Sequence, residues 1–274
     1  MLDTHVTWPG GARCAVMLTF DFDAETLWIG RDPSNIDRPG TLSQGLYGAK
    51  VGVPSILQVL REAGGLPATF FVPGWTAEHH TGVVETILRD GHEVGHHSYI
   101  HKWIDPTDPE TELEEMEKGL EALKRCVGVT PIGYRAPANE TSKNMLRLLA
   151  ERDFLYDSTM FDAVNPYFHP IGDNPRALVE LPTAWMLDDA PFALFSIKSP
   201  RTMCTNEHMF TVWMDEFRAI YGAGGLFNIM LHPQVTGRPS RLLLLRQMIA
   251  HIQSHPGVWF CTGAQAARAF IAQA

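Results

Sequence analysis

Cysteine is scarce in this chain of 274 residues, and none of the four, Cys14, Cys126, Cys204 and Cys261, falls in a C-x-x-C pair. That scatter excludes a cysteine zinc knuckle and a disulfide-stapled scaffold, and it points to free thiols in a reducing compartment. Basic clusters are missing too. With 22 Lys and Arg against 31 Asp and Glu, the formal net charge is −9, which argues against nucleic acid or an anionic membrane surface as the main partner. No apolar run approaches a membrane span, and the opening MLDTHVTWPGGARCAV has no basic segment leading into an apolar one. The expectation is a cytoplasmic protein without membrane contact. Composition does not change regime along the chain either. At 45% hydrophobic and 19% charged, residues 1–274 read as one globular domain.

Histidine is what the chain has in quantity, twelve in all. Four crowd into residues 91–101, GHEVGHHSYIH, where two metal motifs overlap. His92, Glu93 and His96 spell H-E-x-x-H, the zinc-peptidase signature, which needs a helix to put both imidazoles on one face. Gly91 reads instead as the left-handed end of a helix over 83–90, with a short strand over 92–96 after it. His97 and His101 are the second candidate, an i, i+4 pair on the turn where that strand runs out. A third such pair, His251 and His255, lies late on a helix with no carboxylate nearby and reads as solvated.

The continuous apolar run 14–20 predicts a strand buried on both faces. It ends in Asp21-Phe22-Asp23, two carboxylates two residues apart. A long connection carrying Trp28 covers 25–50. Helix and strand then alternate: helix 55–63, strand 68–72, helix 83–90, strand 92–96, and a helix opened by Asp108-Pro109 with Leu113, Met116, Leu120, Leu123 and Val127 inward. Further strands are expected at 132–135, 154–156, 178–181, 226–231 and 258–260, with Ser142 and Asn206 capping two of the helices between them. Seven or eight such units predict an α/β fold, a distorted (β/α)7-8 barrel. Asp21, Asp23, His97, His101, Arg135, Asp157 and His232 all fall at or just past the C-terminal ends of strands. That rim is where parallel barrels hold their sites.

One carboxylate and two imidazoles, Asp23, His97 and His101, suit a divalent ion with open positions, zinc first, with cobalt, nickel or manganese also compatible. Asp21 is then free as general base, with Arg135 to keep it ionised, and His232 arrives on another strand to protonate a leaving nitrogen. Base and acid on opposite sides describe amide hydrolysis.

The ordered set T-F-D-x-D, H-S-x-x-H, R-x-P and L-H-P, from Thr19 to Pro233, resembles the polysaccharide deacetylase (NodB-homology) family. The resemblance implies a distorted (β/α) barrel and metal-dependent hydrolysis of acetamides. It implies Asp21 as base, Asp23, His97 and His101 as metal ligands, Arg135 as the partner of the base and His232 as the acid. An acidic residue orients that acid in the family, and Asp157 and Asp188 are both candidates. The split aspartates, Ala138 after Arg-x-Pro, the Trp28 connection and the runs 180–189 and 232–239 look like a sub-branch of intracellular peptidoglycan-deacetylase-like proteins and cyclic imide hydrolases, with allantoinase-like relatives close by. That branch implies a homotetramer whose pockets are closed by neighbouring subunits, and a small cyclic imide or amide as substrate ahead of an N-acetyl sugar. Trp28 and Trp185 are the candidate substrate contacts. The rivals are an N-deacetylase of N-acetylhexosamine, the H-E-x-x-H peptidase, and a non-catalytic carbohydrate-binding relative. A binder has no need of Asp21 and His232 together.

Overall fold

Eight consecutive buried residues make β1, Cys14–Asp21, the centre of the sheet. Here the structure is a computed structural model that describes residues 6–196, 200 and 202–273; the first five residues of the stretch read for an export signal lie outside them. Strand β1 runs parallel to β8 (Leu226–Leu231) along one side. On its other side the first half pairs with β9 (Val258–Cys261) and the last residues with β2 (Thr69–Val72). The sheet continues in parallel through β3 (Glu93–His96), β4 (Gly133–Tyr134), β5 (Tyr156–Asp157) and β7 (Asn174–Glu180), with β6 (Tyr167–Ile171) antiparallel to β7. A parallel bridge between Asp188 and Met230 ties the segment after β7 back to β8. The ladder therefore comes round on itself as a distorted (β/α) barrel.

Strand periodicity decides which way β1 presents its side chains. Val16, Leu18 and Phe20 lie in a cluster with residues of the surrounding helices, among them Ile56, Leu60, Met214 and Met248. Ala15 and Met17 face the barrel interior with Phe71, Tyr156, Val179 and Leu181. Thr19 and Asp21 continue that second series. The alternation thus delivers a carboxylate to the interior at the C-terminal mouth.

The structure departs from the sequence-based expectation in four places. Residues 25–50 are not an irregular connection: they hold a helical turn (Thr26–Ile29), a 3-10 segment (Pro33–Asp37) and a helix (Pro39–Tyr47) that passes through a π-segment (Gly48–Gly52) into the helix Val53–Glu62. Glycine misled here because it serves close approach rather than turning. A Cβ at Gly45 would lie 2.3 Å from the Ala24 carbonyl oxygen, and one at Gly52 would lie 2.2 Å from that of Pro233. The expected strand 178–181 is the end of a longer β7 that begins at Asn174, and its antiparallel partner β6 has no counterpart in the expectation because Pro170 interrupts its pattern, as edge strands allow. Thr205, not Asn206, caps the helix Asn206–Ala223, accepting from the His208 N–H. Leu113 is 39% exposed, because the inward face of the helix Pro109–Val127 starts at Glu112, whose carboxylate accepts from Asn144 Nδ2 at 2.7 Å.

Candidate active site

Asp21 and Asp23 leave β1 under different restraints. The Asp21 Oδ1 accepts from Arg135 Nη1 at 2.8 Å, and the same nitrogen donates to Thr19 Oγ1 at 2.9 Å. Arg135 is wholly buried, its Nε and Nη2 donating to the carbonyl and hydroxyl of Ser158, both at 3.0 Å, and its guanidinium lying 4.2 Å from the centre of the Phe71 ring. A buried cation so fully bonded is a fixed partner for a carboxylate. Asp23 is pinned through its backbone, whose carbonyl accepts from Thr26 Oγ1 at 2.7 Å and Thr76 Oγ1 at 2.8 Å. The chain then turns through Ala24 in the left-handed region, with φ of 52°.

His97 and His101 sit on a loop with left-handed Ser98 (φ 67°) and His101 (φ 58°). That strained backbone is held by Glu115 Oε2, which accepts from Ser98 Oγ, from Tyr99 N at 3.1 Å and from Ile100 N at 3.0 Å. His97 Nδ1 donates to the Arg135 carbonyl at 2.7 Å. This fixes the tautomer and leaves the lone pair on Nε2. That nitrogen faces Asp23 Oδ1 at 3.4 Å and Asp21 Oδ2 at 4.0 Å, and His101 Nε2 lies 3.7 Å from the same Asp23 oxygen.

Asp23 Oδ1 and His97 Nε2 are buried and have no hydrogen-bond partner. Unpaired buried polar atoms are rare, and these two face each other beside a second imidazole. The donor set fits a divalent cation. Burial opposes ionisation of Asp23, but His101, His97 and His232 outweigh it and hold the carboxyl below its ordinary range. Burial pushes His101 down to about 4, which leaves a neutral imidazole with a lone pair to give.

His232 follows β8 directly. Its Nδ1 is 2.7 Å from Asp189 Oδ1, its backbone N–H donates to both oxygens of Asp189, and Thr236 Oγ1 donates to Asp189 Oδ2 at 2.5 Å. Asp188 Oδ1 lies 3.4 Å from the same Nδ1. Burial opposes the imidazolium, yet Asp188 and Asp189 outweigh it and hold the pKa well above the ordinary histidine value. The remaining nitrogen, Nε2, points to Asp23 Oδ2 at 3.8 Å. The run 232–239 is welded to the segment after β1: Tyr47 OH donates to the Gly237 carbonyl at 3.0 Å, and the Arg238 guanidinium lies 3.6 Å from the centre of the Tyr47 ring.

Asp21, Asp23, His97, His101, Arg135 and His232 are therefore brought into one cluster. Asp157 is not part of it. It pairs in register with Glu180 and bonds Ser158 N and Thr159 Oγ1, so of the two candidates for holding His232 only Asp188 is near. The short bond belongs to its neighbour Asp189, which the sequence reading passed over. Trp28 is 6% exposed, its carbonyl accepting from Asn35 Nδ2, whereas Trp185 is 48% exposed with its ring 4.9 Å from that of Phe161. The H-E-x-x-H geometry is absent. His96 ends strand β3 and its Nε2 donates to the Met116 carbonyl, while Glu93 accepts from Thr69, Tyr156 and Ala264. Four strand steps set His92 and His96 about 13 Å apart along the chain.

The family model for polysaccharide deacetylase matches residues 12–156. The chain belongs to the polysaccharide deacetylase family. This deacetylase-family chain is similar to a peptidoglycan deacetylase of Helicobacter pylori, 32% identical over 92% of this chain and 94% of that one. It is similar to a solved structure from Mycobacterium smegmatis described as a polysaccharide deacetylase, with TM-score 0.94 and 41% identity over 100% of this chain and 95% of the other. It is also similar to the structure of PuuE allantoinase, with TM-score 0.85 and 25% identity over 98% and 94% of the two chains. As a member of this family it is a hydrolase of C–N bonds other than peptide bonds. Among the described residues no helix is long and apolar enough to cross a membrane.

Proposed function

We propose that this deacetylase-family protein hydrolyses the C–N bond of a small cyclic imide or amide, with Asp21 as base, His232 as acid and a zinc ion held by Asp23, His97 and His101. Burial is the observation that carries this reading: Asp21, Asp23, His97, His101 and His232 are 3, 0, 1, 3 and 7% exposed. A glycan needs an open trough several sugars long, whereas enclosed reacting groups suit a compact molecule taken in whole. The near full-length similarity to an enzyme named for allantoin, a small cyclic molecule, supports the same size class.

The residues divide the reaction between them. Asp21 Oδ2 takes a proton from the water whose oxygen attacks the carbonyl carbon, while Arg135 holds the other carboxylate oxygen. His232, charged through Asp188 and Asp189, gives its Nε2 proton to the nitrogen as the C–N bond breaks. The water thus supplies its oxygen to the new carboxyl group, and the ring opens as an amide acid. A divalent ion in the Asp23, His97 and His101 set supplies Lewis acidity toward the carbonyl and water.

A second reading, removal of acetate from N-acetylglucosamine in peptidoglycan, is favoured by the Helicobacter pylori relative; the same base and acid serve it. Four free cysteines, two of them buried, support a reducing, cytoplasmic setting. The exposed apolar side chains Phe161, Trp185 and Met186 support an assembled, tetrameric form in which such surface is covered. The test is product analysis with zinc-loaded protein on succinimide-type imides and on an N-acetylglucosamine oligomer. Ring opening is the expected result. Acetate release alone would move the protein to the second reading, and no turnover of either would leave a carbohydrate-binding role.

A further inference from the structure

Asp23 uses its two carboxylate oxygens differently, and one residue outside the reaction scheme accounts for the division. Oδ1 has no hydrogen-bond partner and faces His97 and His101, at 3.4 and 3.7 Å. Oδ2 faces the other way, toward Gln234 Nε2 at 3.4 Å and His232 Nε2 at 3.8 Å. Gln234 is 4% exposed and lies on the short helix Pro233–Thr236, two residues past the acid. Its amide orientation is set by chemistry, since the reverse would press Oε1 against a carboxylate.

We propose that Gln234 is a positioning residue that holds Asp23 as a one-oxygen ligand and keeps its Oδ2 from closing the 3.8 Å gap to His232 Nε2 into a direct hydrogen-bonded pair. Such a pair would consume a metal ligand and the acid together. Gln234 is held firmly enough for this role. Its carbonyl accepts from Arg238 Nε at 3.3 Å, and its flank is closed by Gly48, where a Cβ would come within 3.2 Å of Gln234 N and 3.3 Å of Oε1. Oε1 is buried without a partner. A half-satisfied buried amide is retained at a cost, and the Asp23 contact is the one its other end makes.

The inference rests on the metal reading of Asp23, His97 and His101, and the test separates the two. Zinc affinity of the metal-stripped full chain is measured by competition with a chromogenic chelator, and the visible absorption of the cobalt-loaded protein is recorded. Gln234→Met keeps the shape and removes the donor; Gln234→Asn keeps the amide but falls one methylene short, and carries the test if the first variant does not fold. Each is expected to bind zinc about 10–100-fold more weakly and to shift the cobalt bands, with the melting temperature of the stripped protein unchanged. Wild-type affinity and an unchanged cobalt spectrum in the variants would overturn the role of Gln234 and leave the triad standing. A wild-type chain that binds neither metal would overturn the triad itself.

Discussion

Arg135 holds Asp21 and His97 with opposite ends of one residue: its guanidinium bonds the Asp21 carboxylate, and its carbonyl keeps His97 in one tautomer. The two side chains are thereby set against a common frame, and each can be removed without the other. Asp21→Asn is expected to lower kcat/KM by about 10²–10⁴-fold while metal content stays at the wild-type level. Glu93→Gln is expected to do the opposite. Glu93 accepts from Thr69, Tyr156 and Ala264, so its loss should cost about 1–3 kcal/mol of stability and spare kcat, as thermal melts and steady-state kinetics on both variants would show. At this scale the clustering of Asp21, His97, Arg135 and His232 was legible in the sequence because each stands at or just beyond the end of a strand. Asp189 was not. Asp188 and Asp189 both reach His232 Nδ1, at 3.4 and 2.7 Å, and adjacency in the sequence does not say which of them makes the short bond.

The β6–β7 hairpin is only part-legible in the sequence, which marks 178–181 and not β6, and it brings Glu180 and His169 beside Asp157 of β5. Glu180 accepts from Thr159 N and Met160 N and lies 2.8 Å from His169 Nε2, while Asp157 stands in register beside it. Burial pushes Glu180 up to about 7, and burial and then the charge of Glu180 push Asp157 up as well. Both carboxyls favour the neutral form in the folded state. The stabilisation from Glu180 is complete below the ordinary carboxyl range and is lost as pH rises through about 7. His169 acts in the other sense, since burial lowers its pKa and its contribution is lost as pH falls below the ordinary 6.5. Asp162, also close enough to act on Glu180, raises its pKa further. Removing the titrating group isolates the alkaline limb. The melting temperature of wild type is expected to fall from about pH 5 to pH 8 more than that of Glu180→Gln; parallel curves would contradict a carboxyl kept neutral here. By contrast β1 was legible, since eight buried residues in a row leave an apolar signature that no turn residue interrupts.

At the scale of the whole molecule, the alternation of helix and strand revealed the barrel, because each parallel crossover must bring a helix onto the sheet. The stretch 25–50 stayed opaque for a different reason: Gly45, Gly48 and Gly52 read as breaks but allow helices to approach the Ala24, Gln234 and Pro233 backbone. Those contacts bind the segment after β1 to the segment after β8, which keeps Asp23 and His232 on adjoining parts of the mouth. A tetramer would cover the exposed Phe161, Trp185 and Met186; light scattering is expected to give a mass near four times that of the 30.6 kDa chain, and a monomer would contradict that assembly. A divalent ion held by Asp23, His97 and His101 is expected to be required for C–N hydrolysis, and metal analysis coupled to activity checks this. Purified protein is expected to carry about one ion per chain, to lose ion and ring-opening activity together on chelation, and to regain both with zinc, while Asp23→Ala regains neither. Full activity in protein shown to be free of metal would contradict it.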